Sequence, residues 1–300
     1  MAWVMFAGVC SLAACGLIYA WLRRDGFVPV PGGRIAYTDE GHGVPVILVH
    51  GFAADSFVNW RLPGFIRALR RHYRVIAMDV RGHGRSFRPT ARGTYGRELV
   101  EDIRRLMDHL EIDRACLIGY SMGGFIVMDF LGTYPDRVVA VCAGGAGWYP
   151  EDQYPDLVRT VPAALDAGQG MMPILAFMEP PRWWLDRVRL AIANRLICMV
   201  HNPSALARCF ESLVELRGTE DQVRANRVPF LSFAGTRDPL RDGIDNMVGI
   251  AGNHKALFVE GGNHTTTLAW PPFARQCICA VNGHLRESCT AAGIGEASRA

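Results

Sequence analysis

The feature that most restricts how this chain can fold is a series of short, unbroken apolar runs separated by amphipathic stretches. Val46-Ile47-Leu48-Val49, Val75-Ile76-Ala77-Met78, Ala115-Cys116-Leu117-Ile118 and Val138-Val139-Ala140-Val141 contain no alternation with polar residues. Runs of this length and kind suit strands buried on both faces. Between them, Phe65, Ile66 and Leu69, and then Leu99, Ile103, Leu106 and Leu110, recur at helical spacing. The second set opens on acidic residues, as a helix N-terminus prefers. Alternating strands and helices imply an α/β architecture, with a mostly parallel central sheet flanked by helices.

The alternation stops after Ala143 and resumes at Pro229-Phe230-Leu231-Ser232-Phe233 and Lys255-Ala256-Leu257-Phe258-Val259. The expected organisation is one α/β domain over 26–145 and 228–286, opened by a hairpin around Arg34-Ile35-Ala36-Tyr37 and closed by a helix near 273–281. A helical cap is inserted at 146–227, and 287–300 form a disordered tail.

Residues 2–22 carry no charge, and at ~1.5 Å per residue a helix of that length spans the ~30 Å core of a bilayer. Residues 1–25 therefore read as an N-terminal hydrophobic helix, a membrane anchor or a signal-like segment. Arg23 and Arg24 place the remainder on the cytoplasmic side by the positive-inside rule. The alternative is an exported lipoprotein or secreted protein, since Leu12-Ala13-Ala14-Cys15 resembles a lipoprotein cleavage box.

Composition excludes other classes. Thirty-two basic residues against 29 acidic ones leave a net charge of +3, too balanced to call for a nucleic-acid partner. The nine cysteines form no C-x-x-C pair and no cluster with histidine, so neither a structural metal nor a disulfide framework is expected.

The chemistry is concentrated at a few strand ends. Gly119-Tyr120-Ser121-Met122-Gly123 follows an apolar strand and precedes the helical run Phe125-Ile126-Val127-Met128. A strand that turns at once into a helix forces the serine to positive φ and needs glycines where the backbones pass closely. A serine hydroxyl needs a base to remove its proton and a third group to fix the tautomer of that base. His264, in Gly261-Gly262-Asn263-His264, and Asp238, in Gly235-Thr236-Arg237-Asp238, each follow a strand and stand in the order Ser, Asp, His. The backbone N–H groups of Met122 and of Phe52, in His50-Gly51-Phe52, are the expected oxyanion donors. His50 and His83 read as loop-bracing residues, and Trp148 and Tyr149 as candidate substrate contacts.

On these motifs, together with 79–86, the chain resembles the α/β-hydrolase fold serine hydrolases, and within them the carboxylesterase, enol-lactonase and perhydrolase-like group. The resemblance implies acyl transfer through Ser121, His264 and Asp238 on a small to medium hydrophobic ester, lactone or thioester, without cofactor or metal. C–C bond or enol-lactone hydrolysis with the same triad, and a non-catalytic ligand-binding protein of this fold, are the alternatives. Haloalkane dehalogenases and epoxide hydrolases of the fold use an aspartate where this chain has Ser121.

Overall fold

The computed structural model describes residues 25–153, 156–216 and 218–293. Among these residues, eight strands form one sheet in the order β1-β2-β4-β3-β5-β6-β7-β8. They are β1 (Asp25–Val30), β2 (Gly33–Glu40), β3 (Pro45–Val49), β4 (Arg74–Met78), β5 (Ala115–Tyr120), β6 (Val138–Gly144), β7 (Phe230–Gly235) and β8 (His254–Val259). The β1–β2 hairpin is antiparallel and joins the sheet antiparallel to β4, whereas every pairing from β4 to β8 is parallel.

Helices cover both faces. They are α1 (Phe65–Leu69), α2 (Arg97–His109) and α3 (Met122–Thr133), then α4 (Leu157–Asp166), α5 (Met172–Met178), α6 (Trp184–Val200), α7 (Pro203–Glu211) and α8 (Glu220–Ala225) between β6 and β7. They end with α9 (Arg241–Asp245), α10 (Thr266–Ala269) and α11 (Pro271–Ala291).

The unbroken apolar runs follow from this layering. On β3, Ile47 and Val49 point into a core shared with α2, α3 and the helices after β6, while Val46 and Leu48 point into a second core with α1 and α11. Successive side chains of a strand face opposite ways, so covering both faces requires apolar residues at every position. Cys116, Cys142, Cys209, Cys277 and Cys289 are buried and free in these cores.

Two expectations are corrected. Among the described residues no helix is long and apolar enough to cross a membrane, and the segment 2–22 on which a membrane anchor rested lies outside them. The longest helix of the described residues, α11, has the length but carries Arg275, Arg286 and Glu287. The membrane-anchored assignment, with its cytoplasmic or exported alternatives, therefore finds no support. The tail expected from 287 begins as helix instead, because α11 continues to Ala291. Leu285, Ser288 and Cys289 are buried there, and Glu287 pairs with Lys255 at 2.7 Å. In the insertion, Trp183, Trp184 and Met199 are exposed on and beside α6.

Candidate active site

Ser121, Asp238 and His264 lie just beyond the carboxyl ends of β5, β7 and β8, the edge of a parallel sheet where ligands of α/β proteins bind. Ser121 has φ 53° and ψ −118°, a conformation that costs a residue with a side chain about 1–3 kcal/mol. The backbones around it pass closely. A Cβ on Gly119 would lie 2.1 Å from the Gly123 carbonyl oxygen, and one on Gly123 would lie 2.1 Å from that of Val49. The turn is pinned by the Ser121 N–H donating to Gly144 O at 2.7 Å and the Phe125 N–H donating to Ser121 O at 3.1 Å.

The structure brings Asp238 and His264 together. His264 Nδ1 lies 3.0 Å from Asp238 Oδ1 and 2.9 Å from Oδ2. The Asp238 side chain is fully buried, and its Oδ1 also accepts from the Leu240 N–H at 2.9 Å. A carboxylate can only accept, so Nδ1 carries the proton and Nε2 keeps its lone pair in the neutral ring. The His264 loop is set by Asn263, whose Oδ1 accepts from the N–H groups of Thr265 and Thr266 at 3.0 and 2.8 Å.

Two residues that the motif reading passed over hold the histidine. Tyr120 Oη donates to the His264 carbonyl oxygen at 2.5 Å, and its ring centroid lies 5.3 Å from the imidazole. Burial pushes the Tyr120 phenol well above its ordinary pKa, so the hydroxyl stays a donor. Gly145, at φ 56°, passes so close that an added Cβ would sit 2.8 Å from His264 Cε1. The variable position before the serine and a second glycine past β6 carry no motif of their own, and only proximity in the fold shows what they do. Tyr120→Phe is expected to strand a buried carbonyl and destabilise the protein by about 1–3 kcal/mol. Urea unfolding checks this, and an unchanged midpoint would count against it.

Phe52 and Met122 both border the cavity at Ser121. A Cβ on Gly51 would meet Ser121 Cβ at 3.3 Å, so the loop after β3 runs directly against the serine. Met122 is the first residue of α3, where the helix leaves N–H groups without intrahelical partners. The loop is braced by Asn59 Oδ1, which accepts from the Gly51 N–H at 2.7 Å. His50 Nε2 accepts from the Val80 N–H at 2.9 Å, so His50 Nδ1 carries the proton and donates to Gly51 O at 2.8 Å. His83 Nδ1 lies 3.1 Å from Arg81 O, and burial lowers its pKa well below the usual histidine range.

Beside Ser121 is a cavity of about 50 Å³, walled by Phe52, Met122 and Phe125 from the α/β layers and by Leu157, Ile174 and Phe210 from the inserted helices. Trp148 and Tyr149 are absent from it. Trp148 Nε1 donates to Gly218 O at 2.8 Å and Tyr149 Oη donates to Leu240 O at 2.9 Å. Both line a separate, larger cavity alongside α3. They therefore border this second cavity and not the chamber at Ser121. Spacing such as Ile174 and Met178, one helical turn apart, was the signal for the residues that do face the serine.

A family model described as alpha/beta hydrolase fold matches residues 44–168. An esterase from Thermogutta terrifontis superposes with a TM-score of 0.72 at 21% identity, over 88% of this chain and 99% of that one. The chain has the α/β-hydrolase fold. A second α/β structure, 2-hydroxy-6-oxo-6-phenylhexa-2,4-dienoate hydrolase from Rhodococcus sp. strain RHA1, superposes with a TM-score of 0.70 at 20% identity, over 88% and 99% of the two chains. Among curated proteins, haloalkane dehalogenase 2 of Mycobacterium bovis is 38% identical over 120 residues, 40% of this chain and 41% of that protein. The chain thus spans less than half the length of the curated relatives it matches. On the α/β-hydrolase fold, the matched stretch takes in the strand ends that carry Phe52, Ser121 and Met122, while Asp238 and His264 lie beyond it.

Proposed function

We propose that the protein is a serine hydrolase that cleaves a carboxylic ester, or a lactone or thioester, through an acyl-enzyme. The observation that carries this reading is the His264 imidazole held at Nδ1 by both oxygens of a buried Asp238, alongside a serine kept at positive φ by the glycines around it. Ser121 Oγ attacks the carbonyl carbon as His264 Nε2 takes its proton, and Asp238 steadies the imidazolium. The oxyanion accepts hydrogen bonds from the N–H groups of Phe52 and Met122. His264 then protonates the leaving alcohol or thiol. Water, deprotonated in turn by His264, releases the acid and restores Ser121.

The apolar walls beside Ser121 favour a hydrophobic acyl or alcohol group over a charged one. Residues 146–227 serve as the cap in this reading, supplying one side of the chamber. A serine at the elbow distinguishes the reaction from that named for the dehalogenase relative.

The test is labelling of the purified chain with a fluorophosphonate, comparing wild type with Ser121→Ala and His264→Ala, beside a graded p-nitrophenyl ester series. Labelling and turnover confined to wild type are expected. A folded wild type that neither labels nor turns over any ester would remove the hydrolase reading, and turnover of a diketone or enol-lactone in preference to esters would redirect it.

A further inference from the structure

Ser121 stands at the start of α3, and the positions one helical turn apart along the same face of that helix are Phe125, Met128 with Asp129, and Gly132. The first of these, Phe125, borders the small chamber at Ser121 and also the separate cavity of about 870 Å³. Met128 and Gly132 line only the larger one, whose other apolar walls include Trp148, Phe230 and Met247. Its volume falls within the ~300–1,000 Å³ of small-molecule sites, whereas the 50 Å³ at Ser121 is about the space of one or two waters.

The partition between the two is thin. Leu213 faces the chamber and Leu216 the larger cavity from a single short helical stretch, Ser212–Leu216. Leu240 faces the chamber, and its carbonyl is held by Tyr149 from the far side. Tyr149 is therefore tethered by a hydrogen bond, and Leu213 and Leu216 are buried. Phe125 is only partly buried and turns about two side-chain torsions.

We propose that the cavity along α3 is the acyl site of this protein, with Phe125 as the gate and Met128 and Gly132 as successive marks on a ruler for an unbranched acyl chain esterified to Ser121. This rests on Ser121 being the nucleophile. When Phe125 turns aside, the chamber and the larger cavity become one channel running down α3. From Ser121 to Gly132 the helix advances roughly 16 Å, so the channel takes an extended alkyl chain and excludes one branched next to the carbonyl, where the chamber is narrow. A bulky residue at Met128 shortens the channel by more than one at Gly132, because it stands one turn nearer the serine.

The experiment measures rates of covalent labelling by ethyl, octyl and dodecyl fluorophosphonates on wild type, Phe125→Ala, Met128→Trp and Gly132→Leu. The ethyl probe reads Ser121 itself and is the reference rate within each protein; Met128→Trp and Gly132→Leu, which lie outside the chamber at Ser121, should take it at the wild-type rate. Met128→Trp should slow both octyl and dodecyl probes by about ten-fold or more, the scale of a pocket that loses room for methylenes. Gly132→Leu should slow the dodecyl probe alone, and Phe125→Ala should speed the long probes relative to ethyl. Gly132→Leu also guards against loss of fold: a Cβ there meets nothing closer than 3.4 Å, the end of the Gln222 side chain, and leucine favours helix over glycine. Ethyl labelling with long-to-ethyl ratios unchanged in the variants overturns the acyl site and leaves the hydrolase reading standing. No labelling of folded wild type by any probe overturns both.

Discussion

Ser121→Ala is expected to lower kcat/KM for the best p-nitrophenyl ester by roughly 10⁶-fold, and His264→Ala by a similar factor. The two losses should not add, because the proposed mechanism makes Ser121 and His264 one unit in which neither acts without the other. In the proposed mechanism, what remains in each variant comes from carbonyl polarisation by the N–H groups of Phe52 and Met122. The expectation for stability is different. Alanine at 121 meets the same positive φ of 53° that serine does, and both carry a Cβ, so the strain is unchanged and the fold should persist. Ser121→Gly relieves that strain, and should raise the urea midpoint while abolishing turnover. Steady-state kinetics with a parallel unfolding curve separates chemistry from fold. A Ser121→Ala enzyme that keeps turnover within ten-fold of wild type would rule out the serine as nucleophile.

Arg81→Met should lower stability by about 3–5 kcal/mol, the cost of leaving a buried charge unpaired. Arg81 is 2% exposed and Asp102 1%. The guanidinium grips that carboxylate with two bonds, Nε to Oδ2 at 2.7 Å and Nη2 to Oδ1 at 2.6 Å, while Nη1 donates to Thr94 O at 2.5 Å. Without Arg81, Asp102 keeps only the Arg105 bond at 3.1 Å from a partly exposed guanidinium. Arg81 belongs to the turn after β4, where Asp79 accepts from the Ser56 and Arg85 N–H groups, each at 3.0 Å. The pair therefore ties α2 to the loop that supports His50 and Phe52. Removing both partners in Arg81→Met/Asp102→Leu should recover much of the loss, since the penalty lies in the orphaned carboxylate more than in the missing bond. Urea unfolding of the two variants decides this. A double variant no more stable than the single one would show that the turn depends on the arginine for something other than neutralising Asp102.

Activity and stability thus depend on different parts of the same sheet edge. Ser121, Asp238 and His264 carry the proposed chemistry. Asn59, His50 and Tyr120 hold loops in place through backbone hydrogen bonds, and substitutions there act through positions of other groups.

Much was legible in the sequence by itself. A strand buried on two faces has to be apolar at every position, so runs such as Val46-Ile47-Leu48-Val49 announce a covered parallel sheet without any long-range information. The turn at Ser121 is equally local, since a strand that reverses into a helix within one residue needs glycines at 119 and 123 for steric reasons alone. The order of Ser121, Asp238 and His264 at three strand ends followed from those strands. The sequence could not say what a side chain faces once the chain leaves regular structure. Trp148 and Tyr149 stand near the site in sequence, yet their polar atoms bond to Gly218 and Leu240 and their rings face another cavity. Tyr120 and Gly145 approach His264 only because β5, β6 and β8 align at one edge. The hydrophobic wording of the insertion did not separate exposed Trp183 and Trp184 from Leu157 and Ile174, which wall the chamber. Hydrophobicity records that a residue favours burial, but which apolar residues are buried, and against what, depends on contacts between segments far apart in the chain, and those exist only in the folded structure.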